Sequence, residues 1–391
     1  MKISLLTPNL SSNGLGRAYL LAKILQRHYE VEIVGPVSSE GIWKPVANDG
    51  NVTYKAIKVS GKLRSYRQLW REVKLIDGDV IYASKPLFSS YDVGLIKKWI
   101  YNRPLVLDID DWELGFLIDG NKESHSGNAL RRVKLFLRSL ENALRSPNSS
   151  YLWGGLNEKL VKLADEITVS NNFLRKRFGG TIIWHARDIN DFAPSKFDKN
   201  LLREKYGIAK TEKTVIFCGT PWPYKGIEDL IVALKYVSGV LLILVGMNEG
   251  EYCQKLILSA KNELGSKRIR SFGFQPFSGI SQFLAMGDVV VIPQREGFET
   301  VGQVPAKLFD AMAMAKPIVT TNVSCLPEIL GDCGWIVQPG RSDELAKAIS
   351  YVLDHPEEAK TKGQKAREKC NVMYSYDAME GVLCGLFKKY D

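Results

Sequence analysis

The chain has 391 residues, 45% hydrophobic and 25% charged, with a net charge of +10. This excludes a disordered or low-complexity chain and favours a soluble protein of two domains. No apolar run approaches the roughly 20 residues of a spanning helix. Six scattered cysteines without a CxxC pair, and four scattered histidines, argue against a disulfide framework or zinc site and suit a reducing cytoplasm.

Residues 2–7 read as a first strand. Pro8 breaks the apolar run and no small-residue cleavage site follows, so this is a strand and not a signal peptide. A glycine turn, Asn13-Gly14-Leu15-Gly16, comes next. It has neither dinucleotide-fingerprint spacing nor a Walker lysine. It is either a tight connection or a place where a phosphate approaches the backbone. A helix is expected over 17–28, and strands over 31–35, 80–84, 105–109, 167–170 and 182–185. This is the rhythm of a parallel α/β sheet. Asp108, Asp110 and Asp111 end the 105–109 strand. They cap the next segment, order a sugar acceptor or accept a proton, with Asp110 as the proton acceptor, or bind a cation. Residues 128–145 carry leucines on one helical face and arginines and lysines around it. That pattern fits a core-facing helix with a solvated flank, or one lying on an anionic membrane. His185 closes the half, in a structural or an acceptor-side role.

A polar, proline-containing join spans 188–199. Beyond it the pattern repeats: strands over 215–218, 240–245, 269–272, 289–293, 317–321 and 334–337, and helices over 227–236, 342–353, 356–369 and 376–389. The expected domains are 1–190, 191–375 and a C-terminal helix, 376–391, returning to the first. Two doubly wound Rossmann-like sheets would face a cleft, with ligands at their strand C-termini. The charge is uneven: residues 1–195 hold 28 basic against 20 acidic side chains, and the rest 25 against 23. A basic first half suits an anionic partner, a membrane surface, a phosphorylated lipid or nucleic acid, or is ordinary solvated surface; no nucleic acid partner is expected of the chain as a whole.

The second half holds the denser chemistry. Gly219-Thr220-Pro-Trp-Pro-Tyr-Lys225-Gly226 lies between a strand and a helix. A lysine beside free helical N–H groups is either a solvated surface residue or a ligand for a diphosphate, where it can neutralise charge on a departing one. Residues 292–299, IPQREGFE, close another strand with Arg295, Glu296 and Glu299; residues 305–319 place Asp310 in a small-residue helix.

Taken in order, ADEITVSNNFLRKRFG, IIWHARDINDFAP, GTPWPYKGIEDLI, SFGFQPF, GDVVVIPQ, PAKLFDAMAMAKPIVTTN, CLPEIL and GWIVQPG resemble the retaining GT-B glycosyltransferases of family 4, glycosyl transferases group 1. The resemblance covers nearly the whole chain and is most specific in the C-terminal half. It implies a GT-B fold and retaining transfer from a nucleotide-sugar, a UDP- or GDP-sugar above all, without metal or cofactor. The acceptor would be a hydroxyl on a glycan, a lipid-linked sugar or a small molecule.

By resemblance, Lys225 contacts the donor diphosphate, Asp310 replaces the ribose-binding glutamate, and Gly273-Phe274-Gln275 lies beside the base. Gly14, Gly16, Gly219, Thr220, Gln303, Val304 and Lys307 complete the donor side. Thr220 stands where the family has an arginine, and Arg295 is the candidate substitute. Glu296 or Glu299 stands for the family's first glutamate, and Asp108-Ile-Asp110-Asp111 occupies the place of its cleft histidine. A nucleotide-sugar 2-epimerase of the same fold, or a non-catalytic nucleotide-sugar-binding protein, are the alternatives.

Overall fold

The computed structural model describes residues 1–58, 65–119, 141, 143 and 145–391. These form two compact units. The first is Met1–His185 with Val301–Gln303 and Met379–Asp391; the second is Ala186–Thr300 with Val304–Ala378.

The first unit is built on seven strands: β1 (Lys2–Leu6), β2 (Glu30–Val37), β3 (Thr53–Lys58), β4 (Val80–Ser84), β5 (Leu105–Ile109), β6 (Glu166–Val169) and β7 (Thr181–Ile182). Their order is β3-β2-β1-β4-β5-β6-β7. β1 is parallel to both neighbours, with Leu5 beside Ile33 on β2 and Tyr82 on β4. The strand order therefore reverses between β1 and β4, which opens a crevice beyond their carboxyl ends.

The second unit has six parallel strands: β8 (Lys213–Cys218), β9 (Val240–Val245), β10 (Ile269–Phe272), β11 (Val289–Ile292), β12 (Ile318–Thr321) and β13 (Trp335–Val337), in the order β10-β9-β8-β11-β12-β13. All six residues of β9, VLLILV, are buried. A continuous apolar run is what a strand covered on both faces requires. Phe217, Leu242, Leu244, Val291 and Val319 pack with Ile227, Leu230 and Leu234 on one helix and Leu345, Ile349 and Val352 on another. The reversal here falls between β8 and β11.

Side-chain caps place two helices. Asn171 Oδ1 accepts from the Leu174 N–H at 2.9 Å to start Asn172–Phe178. Asp198 Oδ1 accepts from Asn200 and Leu201 at 2.8 and 3.1 Å to start Lys199–Lys205. Each such cap is worth about 1 kcal/mol.

The structure differs from the sequence reading in particular places. β3 was not expected, because only Ile57 among its six residues is buried and no apolar alternation marks it. The strand expected over 182–185 ends at Ile182. The division between units falls after His185, five residues before the expected boundary, and Val301–Gln303 belongs to the first unit. The basic helix expected over 128–145 lies outside the described residues, apart from Glu141, Ala143 and Arg145. Among the described residues, no helix is long and apolar enough to cross a membrane.

Candidate functional site

In the second unit the site begins where β8 ends. Gly219 has φ +131°, and a Cβ on Gly246, after β9, would lie 3.0 Å from the Gly219 carbonyl. The turn Pro223–Lys225 then leads to Gly226 at φ +68°, where a Cβ would stand 1.8 Å from the Pro293 carbonyl oxygen. Only glycine fits there. The close approach fixes the start of helix Ile227–Leu234 against the end of β11.

Two lysines converge on this turn. Lys225 is buried, with Nζ 4.7 Å from the Tyr224 ring centroid. Lys307, on helix Ala306–Ala313, sends its Nζ to 3.0 Å from where a Cβ on Gly219 would stand. The same Nζ lies 3.7 Å from the Phe217 ring centroid, is buried and makes no hydrogen bond. Burial pushes the Lys307 pKa well below the ordinary lysine value, and the charge of Lys225 pushes the same way. A buried ammonium held beside another cation is a strong attractor for an anion.

Gln294, just beyond β11, is fully buried, and neither atom of its amide has a hydrogen-bond partner. Unsatisfied buried amides are rare and each calls for an explanation. This one lies at the same switch point as Gly219. In the sequence its one signal is a lone amide closing the apolar run VVVIP.

The other expected donor residues take varied positions. Asp310 is buried and ion-paired with the Nε of Arg187. Arg187 also donates to the carbonyls of Ala186 at 2.7 Å and Ala306 at 3.0 Å. Arg295, the candidate phosphate ligand, forks onto Asp229 through two 2.7 Å bonds. Its backbone N–H donates to the Tyr224 carbonyl at 2.9 Å, so it braces the Lys225 turn and its guanidinium is already engaged. Thr220 is half-buried and Val304 buried. Gly273 accepts from Gln275 Nε2 at 3.2 Å, and Phe274 is exposed. Glu296 is exposed, while Glu299 lies in the first turn of the short helix Phe298–Val301.

In the first unit, Gly14 caps helix Leu15–Leu25 with an ordinary helical backbone, and a Cβ on Gly16 would meet the Trp43 ring at 3.5 Å. The three aspartates after the glycine turn separate into two roles. Asp108 is fully buried and accepts from Arg17 Nε and Nη2 at 2.9 and 2.8 Å and from Thr168 at 2.8 Å. Its expected acceptor role gives way to a structural one, because both oxygens are consumed in locking β5 to the first helix.

Asp110 and Asp111 instead surround Lys85, with Glu113. The Lys85 Nζ lies 2.9, 2.8 and 2.6 Å from the three carboxylates. Lys85 follows β4 with φ +71°, held by its N–H on the Asp108 carbonyl at 2.7 Å. Burial alone would lower the Lys85 pKa, but the three acids carry it well above the ordinary value. Burial pushes Asp110 up to about 7. Gln303 Nε2 donates to Asp111 at 3.3 Å. His185 is buried at the end of the unit. Lys85 was missed in the sequence, where it appears as one charge closing an apolar strand.

Residues 198–369 match the family model for glycosyl transferases group 1. That match spans 172 of the 391 residues. It is 28% identical over 215 residues to N-acetyl-alpha-D-glucosaminyl L-malate synthase of Bacillus anthracis, covering 54% of this chain and 50% of that protein. The chain spans about half the length of the curated relatives first matched. The sucrose-phosphate synthase of Thermosynechococcus elongatus superposes with TM-score 0.73 at 16% identity, over 100% of this chain and 98% of that one. HepE of Anabaena, solved with UDP-glucose, gives 0.73 at 20% identity over 100% of both chains. The two Rossmann-like sheets are thus those of the GT-B fold. Lys225, Lys307, Gln294 and Asp310 all fall inside the matched segment.

Proposed function

We propose that this protein is a retaining glycosyltransferase of the family 4 type, moving a sugar from a nucleotide-sugar to a hydroxyl on a glycan, lipid-linked or small-molecule acceptor. The observation that carries this reading is the buried Lys307 ammonium without a hydrogen bond, set beside Lys225 at the turn after β8. A diphosphate supplies the missing acceptor oxygens and cancels the repulsion between the two lysines.

In this mechanism the bond from the anomeric carbon to the diphosphate lengthens first. Lys225, Lys307 and the start of helix Ile227–Leu234 stabilise the charge that grows on the leaving oxygen. The acceptor hydroxyl enters on the same face and passes its proton to a phosphate oxygen. Two lysines supply the positive charge that a metal would otherwise bring, so neither metal nor cofactor is required. The buried Gln294 amide, one strand over, is placed to hold a polar atom of the donor. Asp310, with one oxygen held by Arg187, keeps the other for a ribose hydroxyl.

A thermal-shift screen of UDP-, GDP-, ADP- and dTDP-sugars tests the reading. A cognate donor at a hundred times its dissociation constant is expected to stabilise the protein by about 2.7 kcal/mol. HepE was solved with UDP-glucose, which makes UDP-sugars the first to try. A flat response across the whole set would overturn the assignment.

The basic surplus of residues 1–195 supports a cytoplasmic protein that touches an anionic membrane at its periphery. Sedimentation with phosphatidylserine vesicles is expected to carry the protein down at low salt, and with neutral vesicles to leave it in solution. Equal recovery from both would remove the membrane from the reading.

A further inference from the structure

The first unit holds a cavity of about 290 Å³ that none of the donor chemistry uses. It opens where Pro8 and Asn9 follow β1, Pro36, Val37 and Ser38 end β2, and Phe88 and Ser89 follow β4. That is the switch point of the first sheet, the place where α/β sheets bind ligands. The volume is near the lower end for small-molecule sites and suits one sugar-sized ring.

The walls are largely apolar: three prolines, Val37, Leu69, Phe88 and Val93, with Phe88 braced against Trp153 at 5.3 Å between ring centroids. Most of the polar wall is already spent. Asn148 Nδ2 donates to Ser89 Oγ at 2.6 Å, its Oδ1 accepts from the Ser89 N–H at 3.1 Å, and Ser89 Oγ donates to the Pro8 carbonyl at 2.8 Å. Glu72, on helix Ser65–Leu75, is not spent. It is 3% exposed, and its Oε1 has no hydrogen-bond partner. Among the described residues, the lining contains no lysine, arginine or histidine.

We infer that this cavity receives the amine-bearing ring of the acceptor, with the ammonium on Glu72 and the ring's apolar face on Phe88 and the prolines. Calling the occupant an acceptor rests on the proposed function; the pocket and its preference for a cation do not. An unpaired buried acid is costly, and a charge-assisted bond from an ammonium is about twice as strong as a neutral one. A neutral sugar of the same shape lacks that bond. Burial pushes the Glu72 carboxyl well up. The acid therefore gives its proton to solvent as the ammonium arrives.

The test is saturation-transfer NMR on the whole protein with D-glucosamine, D-glucose and N-acetyl-D-glucosamine as probes. Glucosamine is expected to bind about tenfold tighter than the other two, the scale of one charge-assisted bond. Glu72→Gln keeps the shape and should erase that preference. Ser38→Trp, at the exposed rim, should block the cavity and remove the signal without disturbing the core. Both variants should bind UDP-glucose as the wild type does. Equal binding of the three sugars, or a glucosamine preference that survives Glu72→Gln, would overturn the inference. Loss of UDP-sugar binding in the wild type with the glucosamine pattern intact would instead strike the glycosyltransferase reading alone.

Discussion

Lys307→Met is expected to cost about 10²–10³ in turnover, the scale of removing one preorganised donor from a developing anion. The same change should raise the melting temperature of the free protein. The two effects share one cause. Without donor, the Lys307 Nζ is buried, has no hydrogen bond and is repelled by Lys225. An apolar side chain of similar length keeps the packing on Phe217 and removes a desolvation cost of about 1–3 kcal/mol. On the proposed reading that ammonium meets the diphosphate of a bound donor, and its loss leaves the leaving group less stabilised. Such trade-offs mark sites whose strain serves function.

A pH signature accompanies this. The folded pKa of Lys307 is lowered, so the unfolded chain binds more protons between the lowered value and the ordinary one. Stability of the free protein contributed by this group therefore rises with pH across that window. Binding of a UDP-sugar favours the charged form, so affinity should fall as pH rises through the same range, and the slope should flatten in Lys307→Met. Calorimetry and thermal melts of the two proteins check both signs. A variant with near-normal turnover, or one that melts lower than the wild type, would remove Lys307 from the donor site.

The fold was legible where burial on both faces leaves a continuous apolar run. VLLILV at β9 and VVVI at β11 announce themselves in this way. β3 does not, because TYKAIK sits at a sheet edge and buries a single side chain. The turn after β8 was legible through its glycines, since Gly219 and Gly226 stand at positive φ and Gly226 meets the Pro293 carbonyl. What a sequence cannot express is how opposite charges are distributed. Asp108 and Asp110 sit two residues apart at the end of one strand, yet one is locked by Arg17 and the other by Lys85, residues 91 and 25 positions away. Arg295 looked available for a phosphate until Asp229 took its Nε and Nη2. Gln294 stood out only once the fold showed its amide buried with nothing to bond.

Lys85→Met is expected to be the most destabilising of these changes. Removing one partner from a buried ion pair costs about 3–5 kcal/mol, because the remaining charge is stranded. Here the ammonium lies within 2.9 Å of three carboxylates, and their oxygens lie within 4.8 Å of one another. Repulsion among them is unopposed once it is gone. The size of the loss should depend on pH. Asp110 already sits at about 7, raised chiefly by burial and restrained by the charge of Lys85. A raised carboxyl contributes stability that is complete below its unfolded value, near 3.8, and is lost as pH rises through about 7. Without Lys85 the Asp110 value climbs further, and Glu113 follows for the same reason. Protonation then relieves the repulsion at low pH, while ionisation restores it at high pH. The stability difference between wild type and variant should therefore be smallest near pH 5 and grow steadily to pH 8, as urea unfolding at each pH will show. A difference that stays constant, or that widens toward acid, would mean that Lys85 packs at the end of β4 without serving as the counter-ion of the three acids.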